Sequence, residues 1–231
     1  MSRGAALLPA FVAYEETEYT PGDDAPFRDL ALPAALDRAV PARKTEFLAG
    51  RACARRALVR LFPEHAAHAI PIGTDRAPSW PPGVVGAITH AHGLAAAAVA
   101  RASDALGVGL DVERVVPAEM LDPMLERIAL RAELDALLAK TRMDERALMT
   151  LVFSAKESIY KCIHPRVGRY VDFQEVLMLD VAPSSGTFTG VLRADLALPE
   201  LPRGAHLTGR FALDGDLVRT AIALPVLERT R

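Results

Sequence analysis

The sequence predicts an α+β protein in which two similar subdomains, residues 1–104 and 105–231, each combine a long helix with several strands. Each half contains a long segment typical of a helix and shorter segments typical of strands. Turns rich in Pro, Gly, Asp and Ser separate the short strands of the second half. The element order fits two subdomains joined near residues 103–106, and the sequence alone could also form one mixed sheet.

The first half is expected to contain one long helix and three strands. We interpret the apolar residues 5–13 as the first strand and not as a secretion signal. Arg3 is the only basic residue before them, and no clear cleavage site precedes Glu15. The other predicted elements are a helix over residues 45–62 that Pro63 ends, a rigid connector over 78–83, and strands over 84–88 and 94–101 on either side of His92-Gly93.

The second half is expected to begin with a strand over residues 106–113, followed by helical segments. Residues 118–140 are interpreted as helical, with a break or restart at Pro123. Asp144 can cap a longer helix, which Pro165 then stops. After residue 170 the pattern predicts short strands separated by turns over residues 183–186, 202–204 and 214–216, the last a hairpin turn.

Length and composition exclude several classes of protein. A chain of 231 residues with 51% hydrophobic residues can bury a large core, so we do not expect disorder. A net charge of −2 argues against a general nucleic-acid binder, and no run of apolar residues is long enough for a membrane span. Cys53 and Cys162 are expected to be separate buried thiols, which suits a reducing cytoplasm.

Two carboxylates share one face of the predicted strand over residues 106–113. Apolar residues alternate there with Gly107, Gly109, Asp111 and Glu113, which is the period of a half-buried strand. Glycines on that face allow a backbone or a ligand to come close, and two carboxylates supply part of the oxygen shell that Mg²⁺ prefers. The alternative is a solvated polar face, which an Asp-x-Glu sequence forms in most proteins.

A third carboxylate lies on the predicted helix that follows Asp144. At 100° per residue, Glu157 points away from the apolar stripe, beside Phe153 and Lys161, whereas Lys156 lies nearer the apolar edge. One interpretation is an exposed i, i+4 ion pair between Glu157 and Lys161. The aromatic residue on the same face favours contact with a second layer or a ligand. Together the two segments predict a divalent-metal site that faces two lysines, as phosphoryl-type transfer requires.

Two segments closely resemble the paired signatures of the 4′-phosphopantetheinyl transferases: residues 107–113, GVGLDVE, and residues 153–161, FSAKESIYK. The family patterns are roughly G-[IV]-D-[IV]-E and [FW]-[ST]-x-K-E-[SA]-x-x-K, and the one departure is Leu110. Upstream, residues 85–90 are similar to the family's strand ending in Ser/Thr-His. The segments 73–81 and 43–55 are similar to stretches of its large branch, which includes the surfactin-type and enterobactin-synthetase component D-like members.

The resemblance implies a fused pseudo-dimer of two α+β subdomains with the active site in the cleft between them. It also implies an enzyme that transfers 4′-phosphopantetheine from coenzyme A to a serine of an apo acyl or peptidyl carrier protein and releases 3′,5′-ADP. The family is expected to use Mg²⁺, with Mn²⁺ as an alternative. We expect a cytoplasmic monomer whose partners are coenzyme A and the carrier protein.

The resemblance further assigns roles to individual residues. Asp111, Glu113 and Glu157 would hold the metal, and Glu157 would take the serine proton directly or through water. Lys161 would neutralise or protonate the leaving phosphate, and Lys156 would hold the pyrophosphate oxygens. Donors for the 3′-phosphate of coenzyme A are expected outside the metal site, at Arg43, Arg51, Arg76, Thr89 and His90.

Two other functions stay open from the sequence. Three carboxylates would also suit a metal-dependent phosphohydrolase that acts on coenzyme A without a protein acceptor. A relative without catalysis would only bind coenzyme A or a carrier protein. The intact acidic residues and Lys161 argue against that second alternative, because a binding protein does not need them.

Overall fold

A computed structural model of the protein describes residues 3–73 and 76–226. Thr74 and Asp75, which belong to the motif over residues 73–81, lie outside the described residues. In chain order the helices and strands are β1 (Ala13–Glu18), α1 (Pro41–Leu61), β2 (Val84–Ala91), β3 (Leu94–Arg101), β4 (Ala105–Arg114), α2 (Leu121–Ile128), α3 (Arg131–Thr141), α4 (Glu145–Val167), β5 (Val176–Ala182), β6 (Thr187–Leu192), β7 (His206–Asp214) and β8 (Leu217–Pro225).

The strands of the described residues form two antiparallel sheets. The first has the order β1-β3-β2 and packs against α1, and the second has the order β4-β8-β7-β6-β5 and packs against α4. The predicted α+β class is therefore confirmed, and the alternative of one mixed sheet is wrong. Strand β2 of the first sheet lies beside β4 of the second, so the two sheets meet at the strands that carry the predicted site residues.

The hairpin between β2 and β3 follows from local backbone chemistry. His92 and Gly93 have φ angles of 53° and 84°, and a two-residue type I′ turn needs positive φ at both positions. The turn sets a register in which Thr89 pairs with Ala96. Because successive strand residues point to opposite faces, Thr89 and His90 must face different neighbours.

Helix α4 starts where the sequence predicts and ends later. The side chain of Asp144 accepts hydrogen bonds from two backbone N–H groups of the first turn, each at 3.1 Å, which is an N-cap. The predicted stop at Pro165 is wrong, since the helix continues to Val167. Pro165 only removes one backbone hydrogen-bond donor, and the helix continues past it. The helix ends at Gly168 because that residue takes the left-handed conformation, with φ at 66°.

Other boundaries also differ from the prediction. Residues 5–7 form a 3₁₀ turn, and the first strand begins only at Ala13. The break expected at Pro123 lies instead at residues 129–130, because Pro123 falls in the first turn of α2, where a missing N–H costs no helical hydrogen bond. The first long helix starts earlier than expected, at Pro41, whose fixed φ suits the first helical position.

Two glycines allow α4 to pack directly on β4. A Cβ atom at Gly107 would collide with the backbone carbonyl of Cys162, and one at Gly109 would collide with that of Ser158. This face of the strand therefore points to α4, as its alternation predicts. Asp111 lies two residues further along the same face and is thereby placed opposite α4.

The two cysteines are buried free thiols, Cys53 in α1 and Cys162 in α4, as predicted. Burial raises the pKa of Cys53 to about 11 and that of Cys162 to about 12, so neither thiol is ionised at neutral pH. Among the described residues, no helix has both the length and the apolar character needed to cross a bilayer.

Candidate active site

A carboxylate and a lysine from the second half of the chain meet a threonine from the first half. The side chain of Asp111, on β4, is only 4% exposed, and its Oδ1 atom lies 2.6 Å from Nζ of Lys161. The same Oδ1 accepts a hydrogen bond from the Thr89 hydroxyl at 3.2 Å, and Lys161 Nζ lies 3.5 Å from that hydroxyl. These three side chains, the Asp111 cluster, join β2, β4 and α4.

Two further carboxylates lie in the field of the Asp111 cluster. Burial, followed by repulsion from Asp111, raises the pKa of Glu113 to about 7, although Lys161 opposes the shift. Burial also raises the pKa of Glu157, with Lys161 opposing and Asp111 adding to the change. For Lys161, burial disfavours the charged form, but Asp111 and Glu157 outweigh it and raise the pKa. A protonated lysine is thus surrounded by carboxylates that repel one another.

The carboxylates have the chemistry, but not the spacing, of a divalent-cation site in the part of the chain that the structure describes. Asp111 Oδ2 is buried and has no hydrogen-bond partner among the described residues. Hard cations take oxygen ligands and offset the repulsion between neighbouring carboxylates. Across residues 3–73 and 76–226, no three His, Cys, Asp or Glu side chains are gathered closely enough to hold a metal ion as they stand. The ammonium group of Lys161 is the positive charge that lies against Asp111.

A cleft of about 480 Å³ between α1 and β2 is lined by four of the residues predicted to bind the 3′-phosphate of coenzyme A. Arg43 Nη1 lies 3.0 Å from His90 Nε2 and donates to the Glu46 carboxylate at 3.1 Å. Burial lowers the pKa of His90, and Arg43 adds to that effect. This cationic cleft takes its positive charge from Arg43, Arg51 and Arg76, and His90 also lines it.

Arg51 is held firmly in the wall of the cationic cleft. Its Nε–H group donates to the backbone carbonyl of Ile70 at 2.6 Å, and its guanidinium lies 4.5 Å from the centre of the Phe47 ring. Burial lowers the pKa of Arg51 to about 10, with Arg43 contributing, so Arg51 stays charged at neutral pH. Guanidinium groups with limited freedom suit two-point contacts with a phosphate.

A second cleft of about 230 Å³ adjoins the first and reaches Lys161. Both clefts are lined by Arg76, Pro78 and Ile88, and the second is also lined by Trp80 and Lys161. The indole N–H of Trp80 donates to a backbone carbonyl of β2 at 2.9 Å, which fixes the ring at the edge of the core. A ligand that spans the two clefts would have one end among the arginines and the other beside the Asp111 cluster.

Comparisons of the sequence with known proteins find one family over most of the chain. The family described as 4′-phosphopantetheinyl transferase N-terminal domain matches residues 32–100, and the 4′-phosphopantetheinyl transferase superfamily matches residues 107–208. The 4′-phosphopantetheinyl transferase Svp of Streptomyces mobaraensis is 42% identical over 226 residues, which cover 95% of this chain and 88% of the relative. This chain belongs to the 4′-phosphopantetheinyl transferase superfamily.

Two other relatives support the same family. The 4′-phosphopantetheinyl transferase PptT of Mycobacterium tuberculosis is 33% identical over 230 residues, covering 95% of this chain and 97% of the relative. Enterobactin synthase component D of Escherichia coli O157:H7 is 36% identical over 144 residues, covering 61% and 65%. The sequence-based prediction of a 4′-phosphopantetheinyl transferase is therefore confirmed at the level of the family and of the enzyme class.

The structure of this family member does not bring Lys156 to the Asp111 cluster, so the expectation that two lysines face the carboxylates is wrong. The Lys156 side chain is 1% exposed and lies 3.0 Å from the carboxylate of Glu133, which is 2% exposed. The cause is the rotation of 100° between successive helix residues, which turns Lys156 toward α3 while Glu157 and Lys161 remain on the other side. The position of Lys156 near the apolar edge of α4 was a signal for this burial.

Thr89 also differs in place from the other residues expected to bind coenzyme A. Its hydroxyl is buried beside Asp111, whereas His90, the next residue of β2, lines the cationic cleft. Strand alternation separates the two side chains. The Ser/Thr-His pair of the family therefore contributes one residue to each of the two parts of the site in this chain.

Three residues near the site were not singled out by the sequence motifs. Glu46 holds Arg43, and its position three residues further along the helix was the available signal. His92 Nε2 lies 3.7 Å from Glu113 Oε2 at the end of the β2–β3 hairpin, and the sequence marked His92 only as part of the segment between two strands. Glu133 is buried with Lys156, and its signal was an acidic residue within an apolar helical stretch.

Proposed function

We propose that this chain transfers the 4′-phosphopantetheine group of coenzyme A to a serine of an apo acyl or peptidyl carrier protein and releases 3′,5′-ADP. The observation that carries the proposal is that the Asp111 cluster adjoins a cleft lined by cationic side chains. Coenzyme A carries a 3′-phosphate at one end and a pyrophosphate nearer its reactive arm, so it needs positive charge at two separated places. The names of the matched relatives support the same reaction.

In this proposal Asp111, Glu113 and Glu157 hold Mg²⁺, and Mn²⁺ can replace it because both ions prefer oxygen ligands. The buried, unpartnered Oδ2 of Asp111 and the raised pKa of Glu113 support a cation at this position. A bound Mg²⁺ would supply positive charge to the oxygens of the pyrophosphate as the bond to phosphorus breaks.

The remaining chemistry is assigned to side chains of the chain itself. Lys161 is protonated at neutral pH and would donate to the leaving phosphate, where negative charge develops. Glu157 would accept the proton of the attacking serine hydroxyl, directly or through a water molecule. Thr89 would hold the Asp111 carboxylate by donating to Oδ1, which leaves Oδ2 for the cation.

We assign the 3′-phosphate of coenzyme A to the cationic cleft. Arg43, Arg76 and His90 line its surface, and Arg51 is fixed in its wall. Replacing Arg76 with Ala is expected to raise KM for coenzyme A with little effect on kcat. The same variant should behave like wild type toward 3′-dephospho-coenzyme A, because that substrate lacks the group that the cleft binds. An equal loss for both substrates would contradict the assignment.

We also propose that the two sheets and their helices are subdomains of a pseudo-dimer, residues 1–104 and 105–231, and that one chain acts alone. The matched family regions support this division, since they end at residue 100 and begin again at residue 107. The hydrogen bond between Thr89 and Asp111 supports a monomer, because both sides of the site come from one chain. The buried free thiols support a reducing compartment such as the cytoplasm.

The decisive experiment is mass spectrometry of apo acyl and peptidyl carrier proteins incubated with this protein, coenzyme A and Mg²⁺. We expect each carrier that is used to gain one phosphopantetheine and to yield one 3′,5′-ADP, and we expect EDTA to stop the reaction until Mg²⁺ is restored. A carrier whose acceptor serine is replaced by alanine is the matched control. Release of 3′,5′-ADP without a modified carrier would favour the phosphohydrolase, and binding of coenzyme A without any product would favour the non-catalytic protein.

A further inference from the structure

A buried ion pair connects the helix that carries Glu157 and Lys161 to three other segments. Lys156 Nζ lies 3.0 Å from Glu133 Oε1 and donates to the carbonyl of Ile128, the last residue of α2, at 2.9 Å. Glu133 in turn accepts hydrogen bonds from the backbone N–H of Met178 on β5, at 2.7 Å, and from that of Leu130, at 3.4 Å. The pair therefore joins α4 to the end of α2, the start of α3 and β5.

A gain in stability alone does not explain why Lys156 and Glu133 form a buried ion pair. Moving two charges out of water carries a penalty that their mutual attraction offsets only with good geometry, and neutral replacements of similar size are often equally stable. The hydrogen bonds around Lys156 and Glu133 do provide such geometry. A fully buried pair with specific partners has one arrangement, whereas an apolar contact tolerates several. The pair is thus suited to holding α4 in a single position.

The location of Lys156 on α4 links that position to the active site. Lys156 precedes Glu157 directly, and the two side chains are about 100° apart around the helix. On the side toward β4, Gly107 and Gly109 pack against the α4 backbone. Helix α4 is consequently held from two directions. Strand β4 contacts it on one side, and the ion pair links it to α3 and β5 on another. Any rotation of α4 that relieves an unpaired Lys156 also moves Glu157.

We propose that Glu133 and Lys156 form a positioning pair that sets the rotation of α4 and thereby places Glu157 and Lys161 against Asp111. This inference rests on the proposed function for the roles of Glu157 and Lys161. In it, neither Lys156 nor Glu133 contacts coenzyme A. The positive charge of Lys156 is needed only while Glu133 is negative.

Three variants test the pair: Lys156→Gln, Glu133→Gln and the double variant Glu133→Gln/Lys156→Gln. Each single variant leaves one buried charge without its counter-charge, whereas the double variant is neutral and keeps amide groups that can hydrogen-bond to each other. Arg166→Gln is the matched control, since Arg166 also lies on α4 and pairs with Glu200 at 2.9 Å, but on the exposed surface.

Transfer kinetics of the folded variants give the main result. We expect each single variant to lose at least about tenfold in kcat with a small change in KM for coenzyme A, because misplacement of reacting groups acts on the chemical step. The double variant should regain most of this kcat, and the control should match wild type. A folded double variant that is as slow as Lys156→Gln would overturn the proposal, since Lys156 would then act on the substrate through its own charge. Single variants with wild-type kcat would overturn it as well.

A second measurement separates this proposal from the proposed function. Mn²⁺ binding, followed by electron paramagnetic resonance, should weaken in the single variants and recover in the double variant, because Glu157 moves with α4. If wild type transfers nothing to any carrier, the proposed function fails, and the Mn²⁺ affinities still decide whether the pair positions Glu157. If the single variants do not fold, recovery of activity and Mn²⁺ affinity in the double variant supports the pair, and a folded double variant without either refutes it.

Discussion

Replacing Gly109 with alanine tests whether close packing of β4 on α4 sets the geometry of the active site. The new Cβ atom would lie 2.9 Å from the backbone nitrogen of Cys162 and 2.8 Å from the carbonyl carbon of Ser158, and closer still to the carbonyl oxygen of Ser158. These are backbone atoms of a helix, so no side-chain rotation relieves the collision. A separation of at least 3.0 Å from that oxygen requires α4 to move away from β4 by more than about 1 Å in a close-packed interior.

Such a movement separates the side chains of α4 from Asp111. A displacement of about 1 Å between reacting groups costs roughly 100-fold in rate, so kcat of the Gly109→Ala variant should fall by at least about that factor. Overpacking of a core contact should lower the free energy of unfolding by about 1–3 kcal/mol. The variant is therefore expected to fold while transferring phosphopantetheine slowly.

The assay is the rate of carrier modification by mass spectrometry, combined with urea unfolding. Gly209→Ala is the matched control, because Gly209 lies on β7 and not at the contact between β4 and α4. A Cβ atom there would lie 2.6 Å from the carbonyl oxygen of Ala221 and would also collide with the Phe188 ring. We expect the control to lose stability but to keep a kcat close to wild type. A folded Gly109→Ala protein with wild-type kcat would refute the reasoning.

Three other predictions test individual groups. Lys161→Met should lower kcat by roughly 10²–10³-fold with little change in KM for coenzyme A, because it removes the protonated donor at the leaving phosphate. Transfer kinetics check this prediction, and an equally large rise in KM would contradict it. Cys53 and Cys162 should resist iodoacetamide in the folded protein and both react in urea, because burial raises the pKa of each thiol; mass spectrometry counts the labels, and labelling of the native protein would contradict their burial. Glu175→Gln should lower stability at neutral pH, because the hydrogen bond from Arg169 lowers the pKa of Glu175 from 4.5. This contribution to stability is fully present above the pKa that Glu175 has in the unfolded chain, and it is lost as the pH falls through the lower pKa of Glu175 in the folded protein. The stabilities of the variant and of wild type should therefore converge in acid unfolding experiments.

Local sequence patterns were enough to predict much of this protein. The alternation in β4 placed Asp111 and both glycines on one face, and that face does contact α4. Asp144 marked the start of α4, because a cap depends on residues of a single turn. The end of α4 was mispredicted at Pro165, since the left-handed conformation of Gly168 decided it.

The sequence by itself determined the family, the α+β class and the strand and helix faces that carry the acidic residues, because motifs and periodicity are local properties of the chain. Only the tertiary structure decided what covers each face. It directed Lys156 into a buried pair with Glu133, placed Thr89 beside Asp111, and gathered Arg43 and its neighbours around one cleft. Periodicity states the direction of a side chain relative to its own element, and the partner in that direction depends on how distant segments pack.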